Sequence, residues 1–109
     1  SADNDDTDEY IDDLKAHFVP QPGFSAIYKV VIDGKKKPLM IEVNVNRMEC
    51  YYGNSSENAD VEMQLQRNVI EEILNGRMTF QRAFMGGDMK MKGDFRILRS
   101  LDQIFNFMN

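Results

Sequence analysis

Hydrophobic residues change their spacing near Pro20, and that change separates a helical start from a sheet. Tyr10, Ile11, Leu14 and Phe18 fall at helical intervals, acids load the N-terminal end of the segment, and Pro20 with Pro22-Gly23 stops it. From Phe24 the period is two. Phe24, Ala26, Tyr28, Val30 and Ile32 alternate with Ser25, Ile27, Lys29 and Val31, which predicts a strand. Asp33-Gly34 opens a hairpin with Lys35, Lys36 and Lys37 at its tip and Pro38 at its exit. The return strand sets Leu39, Ile41, Val43 and Val45 against Glu42, Asn44 and Asn46. A third strand over Arg47–Tyr52 runs into the turn cluster Gly53-Asn54-Ser55-Ser56. A fourth sets Val61, Met63 and Leu65 against Asp60, Glu62, Gln64 and Gln66.

The helical period then returns. Asn68 is placed to cap a helix over 68–75 whose apolar face is Val69, Ile70, Ile73 and Leu74, closed by Gly76. Thr79 caps a second, over 79–85, carrying Phe80, Ala83 and Phe84 and ending at Gly86-Gly87. Met89 and Met91 alternate with Lys90 and Lys92 as a fifth strand, and Gly93-Asp94 starts a last helix over 94–107. Four strands, two helices, a strand and a helix predict an α+β domain with one wet sheet face and helices stacked on the other. The last helix is apolar at Phe95, Ile97, Leu98, Leu101, Ile104, Phe105, Phe107 and Met108, wider than one stripe. Such a helix is expected to touch something on a second side: a partner subunit, the first helix or an apolar ligand.

The 109 residues fit one domain, large enough for a single packed core. Charge is uneven. Residues 1–13 hold seven acids and no base, leaving thirteen bases against eleven acids in the rest, so the net charge of −5 belongs to the start of the chain. Residues 1–7 read as a disordered acidic leader and 8–109 as the domain. A protein binding nucleic acid with its whole surface is excluded on charge. The single cysteine, Cys50, forbids an intrachain disulfide, so a reducing, cytoplasmic setting is expected. No run is long and apolar enough for a membrane helix, no signal-peptide pattern opens the chain, and Ser1 in place of Met suggests a processed or excised piece. Eight methionines without a tryptophan favour adaptable apolar packing.

Candidate chemistry is sparse. His17 is the only histidine and has no second histidine for a metal pair, so it reads as a packing or surface residue. Cys50 lies in a strand without the basic setting of a low-pKa nucleophile. Glu71 and Glu72 point about 100° apart on a helix and cannot share a proton. The glycines of MGGDMKMKGD match no phosphate-binding loop. These readings predict neither catalysis, metal nor cofactor. Lys35, Lys36 and Lys37 form the one concentrated basic feature, an exposed hairpin tip whose sharper reading is weak contact with an anionic membrane.

Several short runs then occur in a telling order: Ala59-Asp60-Val61, Leu74-Asn75-Gly76-Arg77-Met78, Gln81-Arg82-Ala83-Phe84 and Lys90-Met91-Lys92-Gly93-Asp94. In this order and spacing, strongest over 59–106, the chain resembles the sterol carrier protein 2 family of lipid-binding domains. The resemblance implies a five-stranded, mostly antiparallel sheet with helices on one face enclosing an apolar tunnel. It also implies a non-catalytic domain that holds fatty acids, acyl-CoA esters or sterol-like ligands, alone or appended to an enzyme. Carried over by position, the tunnel wall is expected from Ile70, Ile73, Leu74, Met78, Phe80, Phe84, Met85, Phe95, Leu98, Leu101 and Phe105, with Met89 and Met91 from the last strand. Gln81 is the polar exception, expected to orient a headgroup or to tie its helix down. The family often has proline where Phe80 stands, so a ring here is expected to shorten or divide the tunnel. The competing expectation is an accessory or dimerisation domain whose same apolar faces form a sealed core or a homodimer interface.

Overall fold

Alternation along β1 (Ser25–Ile32) buries Ala26, Tyr28, Val30 and Ile32 on one face, and β1 becomes the middle of a five-stranded sheet. The other strands are β2 (Leu39–Asn44), β3 (Arg47–Tyr52), β4 (Val61–Leu65) and β5 (Met89–Gly93), in the order β3-β2-β1-β4-β5. All neighbours are antiparallel except β1 and β4, which run parallel. This computed structural model describes residues 8–108, so the expected leader over 1–7 lies outside the described residues. Four helices, α1 (Ile11–Ala16), α2 (Arg67–Leu74), α3 (Phe80–Met85) and α4 (Phe95–Ile104), pack on the buried face. On that face Tyr28 stands between Ile41 and Val61, and Val30 between Leu39 and Met63. The Tyr28 hydroxyl donates to the Ile97 carbonyl at 2.8 Å, pinning α4 to the sheet centre. The opposite face carries the cross-strand row Lys29, Glu62 and Lys92, an alternation of charge that supports the register.

Two expected caps form. The Thr79 hydroxyl accepts from the Arg82 N–H at 3.1 Å, and the Asp94 carboxylate from the Arg96 N–H at 2.8 Å. Asn68 is not a cap. Gln66 holds that position, its carbonyl accepting from Val69 and Ile70, and α2 starts at Arg67. β2 ends at Asn44, because Val45 turns to a φ of +60° instead of continuing the strand. The last helix stops at Ile104. Phe105 is extended and pairs with Phe18 in an isolated bridge, while Val19 N–H donates to Ile104 and Asn106 N–H to His17. The apolar width read as one broad helix face is therefore divided between a helix and an extended segment. Leu98, Leu101 and Ile104 face the sheet, and Phe105 and Phe107 stack 5.7 Å apart with His17 against Phe107 at 5.3 Å.

The first of the described residues are held by charge. Arg67 and Lys35 sit 2.5 and 2.7 Å from the Glu9 carboxylate, and Lys35 also lies over the Tyr52 ring at 5.1 Å. Tyr52 donates to the Glu9 carbonyl and Tyr10 to Glu71. Arg67 and Lys35 outweigh the burial of Glu9 and hold its carboxyl below the ordinary range. A depressed carboxylate contributes stability above its unfolded pKa and loses it as pH falls through the folded one. Glu9→Gln is thus expected to cost about 1–2 kcal/mol at pH 7. Urea melts of wild type and variant should converge in acid, once Glu9 is protonated; a gap that persists there would assign the effect to packing.

Cys50 faces the helices opposite Ile41, and burial pushes its thiol up to about 12. It packs as a small hydrophobe, in line with its strand position.

Candidate functional site

Helix α3 is short, and its placement depends on a carboxylate from α4. Asp102 accepts from the N–H groups of Phe80 at 2.8 Å and Gln81 at 2.9 Å, closing the first turn of α3 and fixing it beside α4. Burial raises the Asp102 pKa, and the two N–H groups oppose that rise. The Gln81 contact is made by its backbone N–H, which any residue but proline would supply, and does not involve the amide side chain. Further along α3, the Phe84 ring lies 5.8 Å from Phe95 at the start of α4.

Beside α3 runs β5, an edge strand, and the two enclose an open groove of about 610 Å³. Phe84, Gly87, Met89, Met91 and Met63 give its apolar surface, and Glu62, Gln64, Lys90 and Lys92 its polar rim. Its volume is in the range of small-molecule sites. Phe84, Met91 and Phe95 are half-buried, and Met85, on the last turn of α3, is 69% exposed.

The fourteen positions expected to form a tunnel wall therefore separate into two groups. Ile70, Ile73, Leu74, Phe80, Met89, Leu98, Leu101 and Phe105 are 0–8% exposed and belong to the core. Met78, Gln81, Phe84, Met91 and Phe95 are half-buried, and Met85 stands in solvent. Only Phe84, Met89 and Met91 of the fourteen border the groove. Met63, Gln64, Glu62 and Gly87 also line the groove without carrying a mark of it in the sequence, and Lys90 and Lys92, the polar half of an alternation, join them. The available signal was the edge position of β5, which a strand pattern alone does not give.

Two further concavities involve the other face of the sheet and mix polar with apolar lining, the first including Ile27, Val43 and Met48 and the second Pro38 and Met40. One, of about 590 Å³, is bordered by Ser25, Glu42, Arg47, Glu49, Glu57 and Asp60 among others. The second, about 430 Å³, includes Lys29, Asn54, Ser55, Asn58 and Glu62. Among the described residues no group of three or more His, Cys, Asp or Glu side chains is placed to hold a metal ion. No helix of the described residues is long and apolar enough to cross a membrane. At the hairpin tip the ion pair with Glu9 occupies Lys35, whose side chain is 8% exposed, so Lys36 and Lys37 are the outward cations there.

Comparison with known proteins gives the family and the fold. The SCP-2 sterol transfer family matches residues 20–106. Hydroxysteroid dehydrogenase-like protein 2 of Bos taurus and of Homo sapiens are each 33% identical over 58 residues, 53% of this chain and 14% of theirs. The chain thus spans a small part of the curated relatives it matches. Among solved structures, the sec-alkyl sulfatase PisA1 superposes with a TM-score of 0.77 at 18% identity, over 91% of this chain and 16% of that one. Sterol Carrier Protein 2 from Yarrowia lipolytica, in its apo form, superposes with a TM-score of 0.56 at 24% identity, over 74% of this chain and 70% of that one.

Proposed function

The chain belongs to the SCP-2 sterol transfer family, whose domains bind lipid without catalysis, and from that premise we propose that it holds a fatty acid, acyl-CoA or sterol-like ligand. The α3–β5 groove serves as the mouth of its apolar site. The observation that carries this reading is the groove itself, an open concavity at a sheet edge with Phe84, Met89 and Met91 on its apolar side. An acyl chain gains about 0.8 kcal/mol per buried CH₂, so a long chain gains roughly 10 kcal/mol before ordering costs. A ligand advancing from the groove meets Met63, Met89 and Met91, flexible side chains that repack around different shapes. Ile70, Ile73, Leu98 and Leu101 are buried in the core and would have to part to admit a chain among them.

Native mass spectrometry of gently purified protein should show a lipid adduct, and a fluorescent fatty acid should bind at about 10 μM or below, corresponding to roughly 7 kcal/mol. No adduct, together with no binding at tens of micromolar, would remove the carrier reading.

A second reading is favoured by the small share of its relatives' length that the chain covers, 14% and 16%. In it the domain is an accessory part of a longer protein, either presenting apolar substrate to a neighbouring enzyme domain or acting as an assembly surface without ligand. Sedimentation separates these: a stable dimer with no lipid uptake supports the assembly role, a lipid-binding monomer the carrier.

A further inference from the structure

We infer that Lys90 and Lys92 give the α3–β5 groove a preference for amphiphiles with an anionic head, an inference that rests on the lipid-binding reading above. Alternation along β5 sends Met89 and Met91 toward the helices and Lys90 and Lys92 toward the other face. Because β5 is an edge strand, all four border the same groove. Both lysines are exposed, and neither forms an ion pair among the described residues.

The groove has one acid of its own, Glu62. In the register it stands between Lys29 and Lys92, so two cations already share its charge. Lys90 instead faces the neutral Gln64. Asp88, two residues before Lys90, is exposed in the preceding turn and is absent from the groove lining. The rim therefore keeps an excess of positive charge next to apolar surface. Lysine stems lie along apolar groups while the ammonium stays in water, which is the geometry an amphiphile's head would meet with its chain against Phe84 and Met91. A ligand with a hydroxyl head gains the apolar contact alone. Exposed charge pairs contribute little each, so the expected preference is modest, about five-fold, and weakens with salt.

The test uses hexadecanoate and hexadecanol, each below its aggregation limit, competing with Nile red for the full chain. Wild type should bind hexadecanoate about five-fold tighter at low ionic strength, with the difference shrinking at about 1 M salt. Lys90→Gln with Lys92→Gln should bring the ratio to about one, while Lys90→Arg with Lys92→Arg, which keeps both charges, should restore it. Lys36→Gln with Lys37→Gln removes the same charge at the hairpin tip and should keep the wild-type ratio. Equal binding of the two ligands by wild type overturns the inference and leaves the carrier reading standing. A preference that survives the glutamine pair, or that the hairpin variant loses equally, also overturns it. If neither ligand displaces Nile red from wild type, the carrier reading fails and the inference with it.

Discussion

Replacing Gly93 by alanine is expected to lower stability by about 3 kcal/mol or more, a fall in melting temperature on the order of 12–20 °C for a domain of this size. Gly93 ends β5 at a φ of +115°, where a side chain is strained, and an added Cβ would press on the Asp60 carbonyl oxygen and lie 3.1 Å from the Val61 Cα. The obstacle is backbone and cannot rotate away. Asp60 is in turn fixed from two sides. Its N–H donates to the Ile27 carbonyl, its carboxylate accepts from the Ile27 N–H, and its own carbonyl accepts from Asp94. Gly87 supplies the control. It has a φ of +85° and nothing within 4 Å of an added Cβ, so Gly87→Ala should carry only the conformational strain, about 1–2 kcal/mol. Equal losses in the two variants, read by calorimetry, would mean that the close approach to Asp60 contributes nothing.

Phe80→Ala is expected to cost about 3–5 kcal/mol, because the ring is 1% exposed and belongs to the core cluster, where alanine leaves a void. Proline tests a different part of the same residue. Phe80 is the first residue of α3, a position whose geometry suits proline, yet proline removes both the ring and the N–H that donates to Asp102. Phe80→Pro should therefore unfold at a urea midpoint no higher than that of Phe80→Ala. An alanine loss below about 1 kcal/mol would show that the site collapses freely around the deleted ring. Recovery of the Phe80→Ala midpoint on adding a long-chain fatty acid would link this part of the core to ligand space.

The same residues show how far the sequence was legible. Period-two alternation found the sheet-facing positions of β1, β2 and β4, since burial on one face leaves that mark directly. The short capped helix at Thr79 and the turn at Gly93-Asp94 were visible because a cap or a positive φ restricts residue type locally. Three features were not legible, and all depend on distant partners. Phe105 looks helical by spacing, but its backbone goes to Phe18. Lys35 looks like one of three tip lysines, but Glu9 and Tyr52 take it out of the solvent. Lys90 and Lys92 look like the wet side of a strand, and only the sheet order makes them the rim of a groove. The motif residues divide in the same way. Asp60, Gly93 and Asp94 belong to one backbone knot joining β1, β4, β5 and α4, so their order along the chain identified the fold more directly than the binding site.

The bridge between Phe18 and Phe105 also bears on how the chain reaches this state. β1 meets β2 through a short turn, whereas its other neighbour, β4, arrives only after β2, β3 and the loop that follows them. Loop-closure entropy grows with the length enclosed, so on that contribution alone the local hairpins cost least to close, the β1–β4 pairing more, and the bridge joining the two ends of the described chain most. Segments near the ends of a chain open locally at a lower free energy than core strands, and the seam is made of such segments. Opening there releases Val19 and Asn106 from their carbonyl partners and loosens α1 together with the end of α4, while the central strands keep their neighbours. The sheet thus holds its central strands independently of an aromatic seam that fastens the two ends of the described chain to each other.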